Sequence, residues 1–274
     1  MVHQFGGMWT IQKLDKIGKY INAYAEALKK HHFRRIYIDA FAGTGSVDIK
    51  VDGKEITIDG SARIALSGTC PFDEYIFVEQ NSERAYELLK LKNEYPGRNI
   101  KIYSEDCNEM IQQICRDRNL KYSRVLLFLD HYSTEVAWST IKEISATDVI
   151  DLWYLFPLSA MNRMMPKNGR VTEGSERKLN SLFGDDTWKN LYQKPKQISL
   201  FENDEDKERQ TNNKQVIEYI YNKLNSIFEF VIDEPMILRN SKNSPLFALF
   251  FAMTNQSPKA KYLARKLATE ILNS

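Results

Sequence analysis

RIYIDAFAGTG, residues Arg35–Gly45, is the stretch from which the fold can be read. Ile36, Tyr37 and Ile38 form an apolar run too short for a helix and rich in β-branched residues, so it reads as a buried strand. It ends in an acid, Asp39, and passes directly into Ala40-Phe41-Ala42-Gly43-Thr44-Gly45. A strand that ends in a carboxylate and runs into small residues makes the floor of a ligand pocket in an α/β protein. The glycines allow a sharp turn and a close approach of backbone to ligand. Asp39 offers two acceptor oxygens.

Reading outward, the same pattern repeats. Glu74–Glu79 (EYIFVE) is a second apolar strand ending in an acid, followed by a helix from Ser82 to about Asn93. Asn99–Tyr103 is a third strand, leading through Ser104-Glu105-Asp106-Cys107-Asn108 into a helix with Met110, Ile111 and Ile114 on one face. Arg124–Asp130 (RVLLFLD) is the most apolar strand, and His131-Tyr132-Ser133 follows its acid. A helix near Val136–Ile144 and a fifth strand, Asp148–Phe156, complete the run. This alternation predicts a parallel sheet with helices on both faces, whose ligands bind beyond the carboxyl ends of the strands. Asp39, Glu79 and Asp130 fall at those ends, with Asp106 just beyond another.

Before the first strand, Ile11, Leu14, Ile17, Ile21, Tyr24, Ala25 and Leu28 repeat at helical spacing, and the basic cluster Lys29–Arg35 closes that helix. Val47–Ile58 alternates around Asp52-Gly53, the signature of a hairpin, placed here at 46–59 where it would overhang the pocket. From 159 to 210 the strand–helix alternation stops. That segment reads as a helical insertion, with a helix at Ser175–Phe183 and the charge run Phe201–Gln210 as a solvated loop. Strands at Phe228–Ile237 and Leu246–Met253 and a helix at Pro258–Leu272 finish the chain. The expectation is an α/β, mostly parallel seven-stranded sheet in a single domain, 1–274.

Composition narrows the classes. A formal net charge of +2 does not announce a nucleic-acid binder, although a local basic patch would suffice. Three cysteines, Cys70, Cys107 and Cys115, at irregular spacing with no CxxC and no histidine pair near them, argue against a disulfide framework or a zinc site, and point to a reducing, cytoplasmic setting. Neither a signal-peptide core nor a membrane-length apolar run is present, so no membrane partner is expected.

With these residues in place, the chain resembles the class I S-adenosylmethionine (SAM)-dependent methyltransferases, of Rossmann-like fold. The resemblance rests on DAFAGTG (Asp39–Gly45), FVE (Phe77–Glu79), SEDCN (Ser104–Asn108) and LDHY (Leu129–Tyr132). It implies S-adenosyl-L-methionine as cofactor, held by Asp39, Ala40, Phe41, Gly43 and Gly45. Glu79 would take the ribose hydroxyls, and Asp106 with Cys107 the adenine. More narrowly, the chain resembles the three-Cys-motif partner protein (TcmP) family. The matching stretches are WTIQKL, YIDAFAGTG, EYIFVE, VLLFLDHYSTEVAWSTIKEI, DLWYLFPLSAMNR, LNSLFGDDTW and PLFALFFAMTNQSPKA, between Trp9 and Ala260. That implies a prokaryotic protein and a partner carrying the cysteine motif, to which the three cysteines here are unrelated.

The fourth motif bears on chemistry. Amino-group methyltransferases of adenine or cytosine carry Asp/Asn-Pro-Pro-Tyr/Phe here, and the family pattern is close to LDPYG. This chain has Asp130-His131-Tyr132, without the stiff proline turn. The expected roles are Asp130 as acceptor of an amine hydrogen, Tyr132 as a stacking face, and His131 as either a base or a structural replacement for proline. In the insertion, Arg163, Lys167, Arg170 and Arg177 are candidates to meet DNA or RNA phosphates. Trp188 and Tyr192 would either stack on bases or pack the insertion onto the sheet. Trp138, Trp153 and Phe156 read as core. Two functions follow: a methyltransferase acting on a nucleic-acid amino group, or a non-catalytic subunit working with the three-Cys-motif partner.

Overall fold

The computed structural model describes residues 7–51, 53–192 and 212–274. Asp52 in the expected turn and the charge run Phe201–Gln210 lie outside them. The sheet grows from β1 (Arg34–Asp39), which pairs in parallel with β4 (Glu74–Val78) on one side and β6 (Ser123–Leu129) on the other. β5 (Ile100–Tyr103) extends the first side in parallel, and β7 (Ile150–Phe156) extends the second. β10 (Pro245–Met253) then adds antiparallel to β7. With β8 (Phe230–Val231) beyond β10, the order is β5-β4-β1-β6-β7-β10-β8, a Rossmann-like sheet whose direction of winding reverses between β1 and β6.

Strict alternation along the strands builds a core on each face. Ile36 and Ile38 of β1, with Val125, Leu127 and Leu129 of β6, face one side. There they meet α4 (Cys107–Cys115), α5 (Trp138–Ser145), α6 (Leu158–Met164), α7 (Glu173–Phe183) and α8 (Asn213–Asn225). Tyr37, Leu126 and Phe128 face the other side, against α1 (Met8–Leu28), α2 (Ser61–Leu66), α3 (Ser82–Glu94) and α9 (Pro258–Leu272). Trp138, Trp153 and Phe156 are core, as their apolar surroundings in sequence predict.

Three features differ from the sequence reading or sharpen it. The strand expected at Phe228–Ile237 is two, β8 (Phe230–Val231) and β9 (Met236–Arg239), both antiparallel to β10. Pro235 has no N–H to give to a ladder, and the chain breaks there. The described sheet therefore has eight strands over seven positions. The hairpin is formed by β2 (Ser46–Val51) and β3 (Lys54–Asp59), a separate two-stranded sheet. Gly60 N–H donates to Gly45 O at 2.9 Å, so the chain returns to the point where it left.

Finally, the insertion aromatics pack rather than stack on a ligand. Trp188 is only 1% exposed, and its indole donates to Asn180 Oδ1 at 2.7 Å. Tyr192 is buried and its hydroxyl donates to Pro166 O at 2.9 Å. The expectation that either could meet bases is corrected, whereas Arg163, Lys167, Arg170 and Arg177 are exposed. Trp188→Ala should lower the free energy of urea unfolding by about 3–5 kcal/mol, as loss of a buried indole does.

Candidate active site at the carboxyl ends of β1 and β6

Because the winding reverses between β1 and β6, the loops leaving their carboxyl ends diverge and open a crevice. A cavity of about 220 Å³ lies there, lined by Phe41, Ala42 and Gly43 after β1, by Asp130, His131 and Tyr132 after β6, and by Trp9 and Lys13 from α1.

Asp39, the last residue of β1, is fully buried and does not itself line this cavity. Its Oδ1 accepts from Phe41 N–H at 3.1 Å, while Oδ2 has no hydrogen-bond partner. Burial pushes this carboxyl up to about 7, against the pull of the neighbouring Ser61 hydroxyl; Asp130 raises it further. The loop after it is stitched to both neighbouring strands. Ala40 N–H donates to Phe128 O and Ala42 N–H to Val78 O, each at 3.1 Å. Gly43 then turns with φ +61°, and a Cβ added there would meet nothing within 4 Å. Gly45, at φ +83°, serves packing instead, since a Cβ there would lie 2.6 Å from Leu91 Cδ2. Gly43 is thus the open, cavity-facing glycine of the pair.

Glu79, just after β4, braces this loop. Its Oε2 accepts from Gly43 N–H at 3.1 Å and its Oε1 from Asn81 N–H at 2.9 Å. Each oxygen retains a lone pair, so a diol remains chemically acceptable to it. Asp106 is the N-cap of α4, its Oδ1 accepting from Asn108 N–H at 2.8 Å and Glu109 N–H at 3.3 Å. The Cys107 side chain is buried in the core, which pushes its thiol up to about 12, and it can offer a ligand only its main chain. Neither Asp106 nor Cys107 lines the 220 Å³ cavity.

On the β6 side, Asp130 forms an ion pair with Lys13 Nζ, a contact across 117 residues of sequence. Burial raises the Asp130 carboxyl and Lys13 lowers it again. His131 is fully buried, stacked on Tyr154 with centroids 5.4 Å apart, and tilted against Phe41 at 5.8 Å. Neither ring nitrogen has a hydrogen-bond partner, and burial pushes the imidazole down to about 3. A histidine so placed is neutral at physiological pH and too weak a base to take a proton there, which removes the base role from His131. It keeps one donor and one acceptor for a neutral ligand. Tyr132, in contrast, is 53% exposed at the cavity mouth.

Phe41, Gly43, Asp130, His131 and Tyr132 therefore gather around one crevice, with Asp39 and Glu79 each one hydrogen bond behind it. Sequence reasoning missed Lys13, Trp9, Ser61 and Arg84, which also border it. A signal for Lys13 existed: it lies four residues before Ile17 and seven before Tyr20, on the apolar face of α1.

No family model matches the chain, and no curated protein matches it in sequence. Among solved structures it is similar to LPL1258 of Legionella pneumophila str. Philadelphia 1, a protein of family model DUF519. The TM-score is 0.51 at 11% identity, over 95% of this chain and 92% of that one. Lower similarities include human methyltransferase-like protein 13 in complex with SAH (TM-score 0.43, 8% identity, 97% of this chain and 93% of that one). M. jannaschii TYW2 in complex with AdoMet gives a TM-score of 0.40 at 10% identity, over 91% and 77%.

The raised Asp39 carboxyl has a measurable sign. Between its unfolded value near 4 and its folded value near 7 the native state binds the extra proton, so this group lowers stability as pH rises through that window. In urea titrations, Asp39→Asn should gain stability relative to the unsubstituted chain from pH ~4 to ~7, with the difference level above.

Proposed function

We propose that this chain is a SAM-dependent methyltransferase of the three-Cys-motif partner family, acting on an amino group of a nucleic acid in a prokaryotic cytoplasm. The observation that carries the reading is the convergence of an open glycine, Gly43, and an acid, Asp130, on one crevice, with a second acid, Asp39, buried behind it and joined to the Phe41 amide. S-adenosylmethionine, when bound, supplies an electrophilic methyl group. The residues present fit it chemically. Gly43 gives backbone a close approach, Glu79 has lone pairs for a diol, and Asp39 has a free oxygen for a cationic group. A cavity of about 220 Å³ is below the ~300–1,000 Å³ usual for small-molecule sites, so the whole cofactor would also need the space leading towards Glu79 and Asp106.

At the acceptor end, Asp130 accepts a hydrogen of the incoming amine and takes up the proton released as the nitrogen is methylated. His131, neutral and flanked by Tyr154 and Phe41, holds the turn that proline would otherwise stiffen. Tyr132 offers a flat face at the mouth for a base, and the exposed Arg84 lies at the rim for a phosphate. The exposed Arg163, Lys167, Arg170 and Arg177 extend that positive character.

Calorimetric titration with SAM, followed by transfer of labelled methyl to RNA, DNA and partner protein, tests the reading. Asp130→Ala should reduce transfer by about 10²–10⁴-fold while sparing SAM affinity, and Glu79→Ala should weaken affinity. Failure to bind SAM, or the reverse pattern of effects, refutes it. Binding without transfer to any acceptor would favour a non-catalytic subunit of the three-Cys-motif partner.

A further inference from the structure

Lys13 is 5% exposed, an unusual state for a lysine, and its ammonium is enclosed on several sides. Asp130 pairs with it, and the rings of Trp9 and Phe128 lie 5.4 Å and 5.9 Å from Nζ. It lines the same cavity as Gly43 and Tyr132. The helix that carries it is not a movable lid. Ile17, Tyr20, Ile21, Tyr24 and Ala25 of α1 are buried in the sheet's core, and Lys16 Nζ donates to the carbonyl of Ser274.

The geometry points to Lys13 as a positioning residue that keeps Asp130 ionised and reserves the site for acceptor amines that arrive uncharged. This rests on the transferase reading above. Asp130 can take up the amine's proton only as a carboxylate, and burial opposes that form. The groups facing it are Asp39 and Tyr37 from β1, Lys13 from α1, and its chain neighbours His131 and Tyr132, with Arg84 of α3 at the rim. Asp39 disfavours a second negative charge, Tyr37 and His131 are neutral at physiological pH, and Arg84 is exposed to solvent. Lys13 is the cation in direct contact.

The same ammonium discriminates among acceptors. An alkylamine such as a lysine side chain or a polyamine is protonated near pH 7 and would bring a second cation beside Lys13. The exocyclic amine of a nucleobase carries no charge and meets no such repulsion. The proton it releases goes to a carboxylate already prepared to receive it.

The test follows Asp130 by carboxyl-carbon NMR in the full chain, unsubstituted and as Lys13→Met and Lys13→Arg. Transfer to single-stranded RNA, denatured DNA and polylysine is recorded in parallel across about pH 5–9. Asp130 should be ionised at pH 7 in the unsubstituted chain, with its midpoint raised by about one unit or more in Lys13→Met and largely restored in Lys13→Arg. The acid limb of transfer, measured at saturating SAM, should move with it, and polylysine should not be methylated. An Asp130 protonated at pH 7 in the unsubstituted chain overturns the proposal even if the variants do not fold. So does an unmoved midpoint in a folded Lys13→Met. Faster transfer by Lys13→Met would make Lys13 a blocking group, and preferential methylation of polylysine would deny the selectivity; either result also overturns it. If the midpoint moves but no polymer accepts methyl, the positioning role stands and the transferase reading falls.

Discussion

Two acids, Asp39 and Asp130, stand at the ends of adjacent parallel strands, and both side chains are largely withdrawn from water. Like charges so placed raise each other's proton affinity, and burial adds to the effect. The fold answers asymmetrically. Asp130 is in direct contact with a buried ammonium from a distant helix, while Asp39 has the Phe41 amide and the neighbouring Ser61 hydroxyl and feels that ammonium only at a distance. Burial raises both carboxyls; at Asp130 the Lys13 ammonium opposes that rise, whereas Asp39 is pushed up to about 7. The proposed function, with a cationic cofactor beside one acid and an amine deprotonated beside the other, would draw on that asymmetry.

The rest of the architecture delivers these groups. Parallel pairing aligns β1, β4 and β6 so that their acids emerge on one edge, and the reversal of winding opens space between two of them. Glu79 works across this edge by holding Gly43 rather than by lining the cavity, so the glycine loop is positioned from the neighbouring strand.

Much of this was legible in the sequence, for physical reasons. Apolar runs of five to seven residues ending in acids mark buried parallel strands, and Asp39, Glu79 and Asp130 emerged from that pattern alone. The hairpin was legible because two-residue alternation around a glycine has few other meanings. What was hidden is what depends on contacts between distant segments. Lys13 looks like one of many helical lysines until α1 is laid against β6. Trp188 and Tyr192 look available for stacking until the insertion folds onto the sheet. His131 has a pKa near neutrality in isolation, and only its enclosure by Phe41 and Tyr154 takes it out of acid–base chemistry. The break between β8 and β9 was readable from Pro235, whose missing N–H interrupts any ladder.

That break also bears on how the protein behaves in a crowded solution. A long, flat outer strand would offer a row of unpaired amides and carbonyls to another copy of the sheet, and so invite aggregation. Here the margin beside β10 is divided into a two-residue piece and a four-residue piece, separated by Asp233, Glu234 and Pro235. The opposite margin, β5, is four residues long and carries Lys101. Both borders of an otherwise very apolar sheet are thus short, which limits the row of unpaired backbone groups that either can offer to a second sheet.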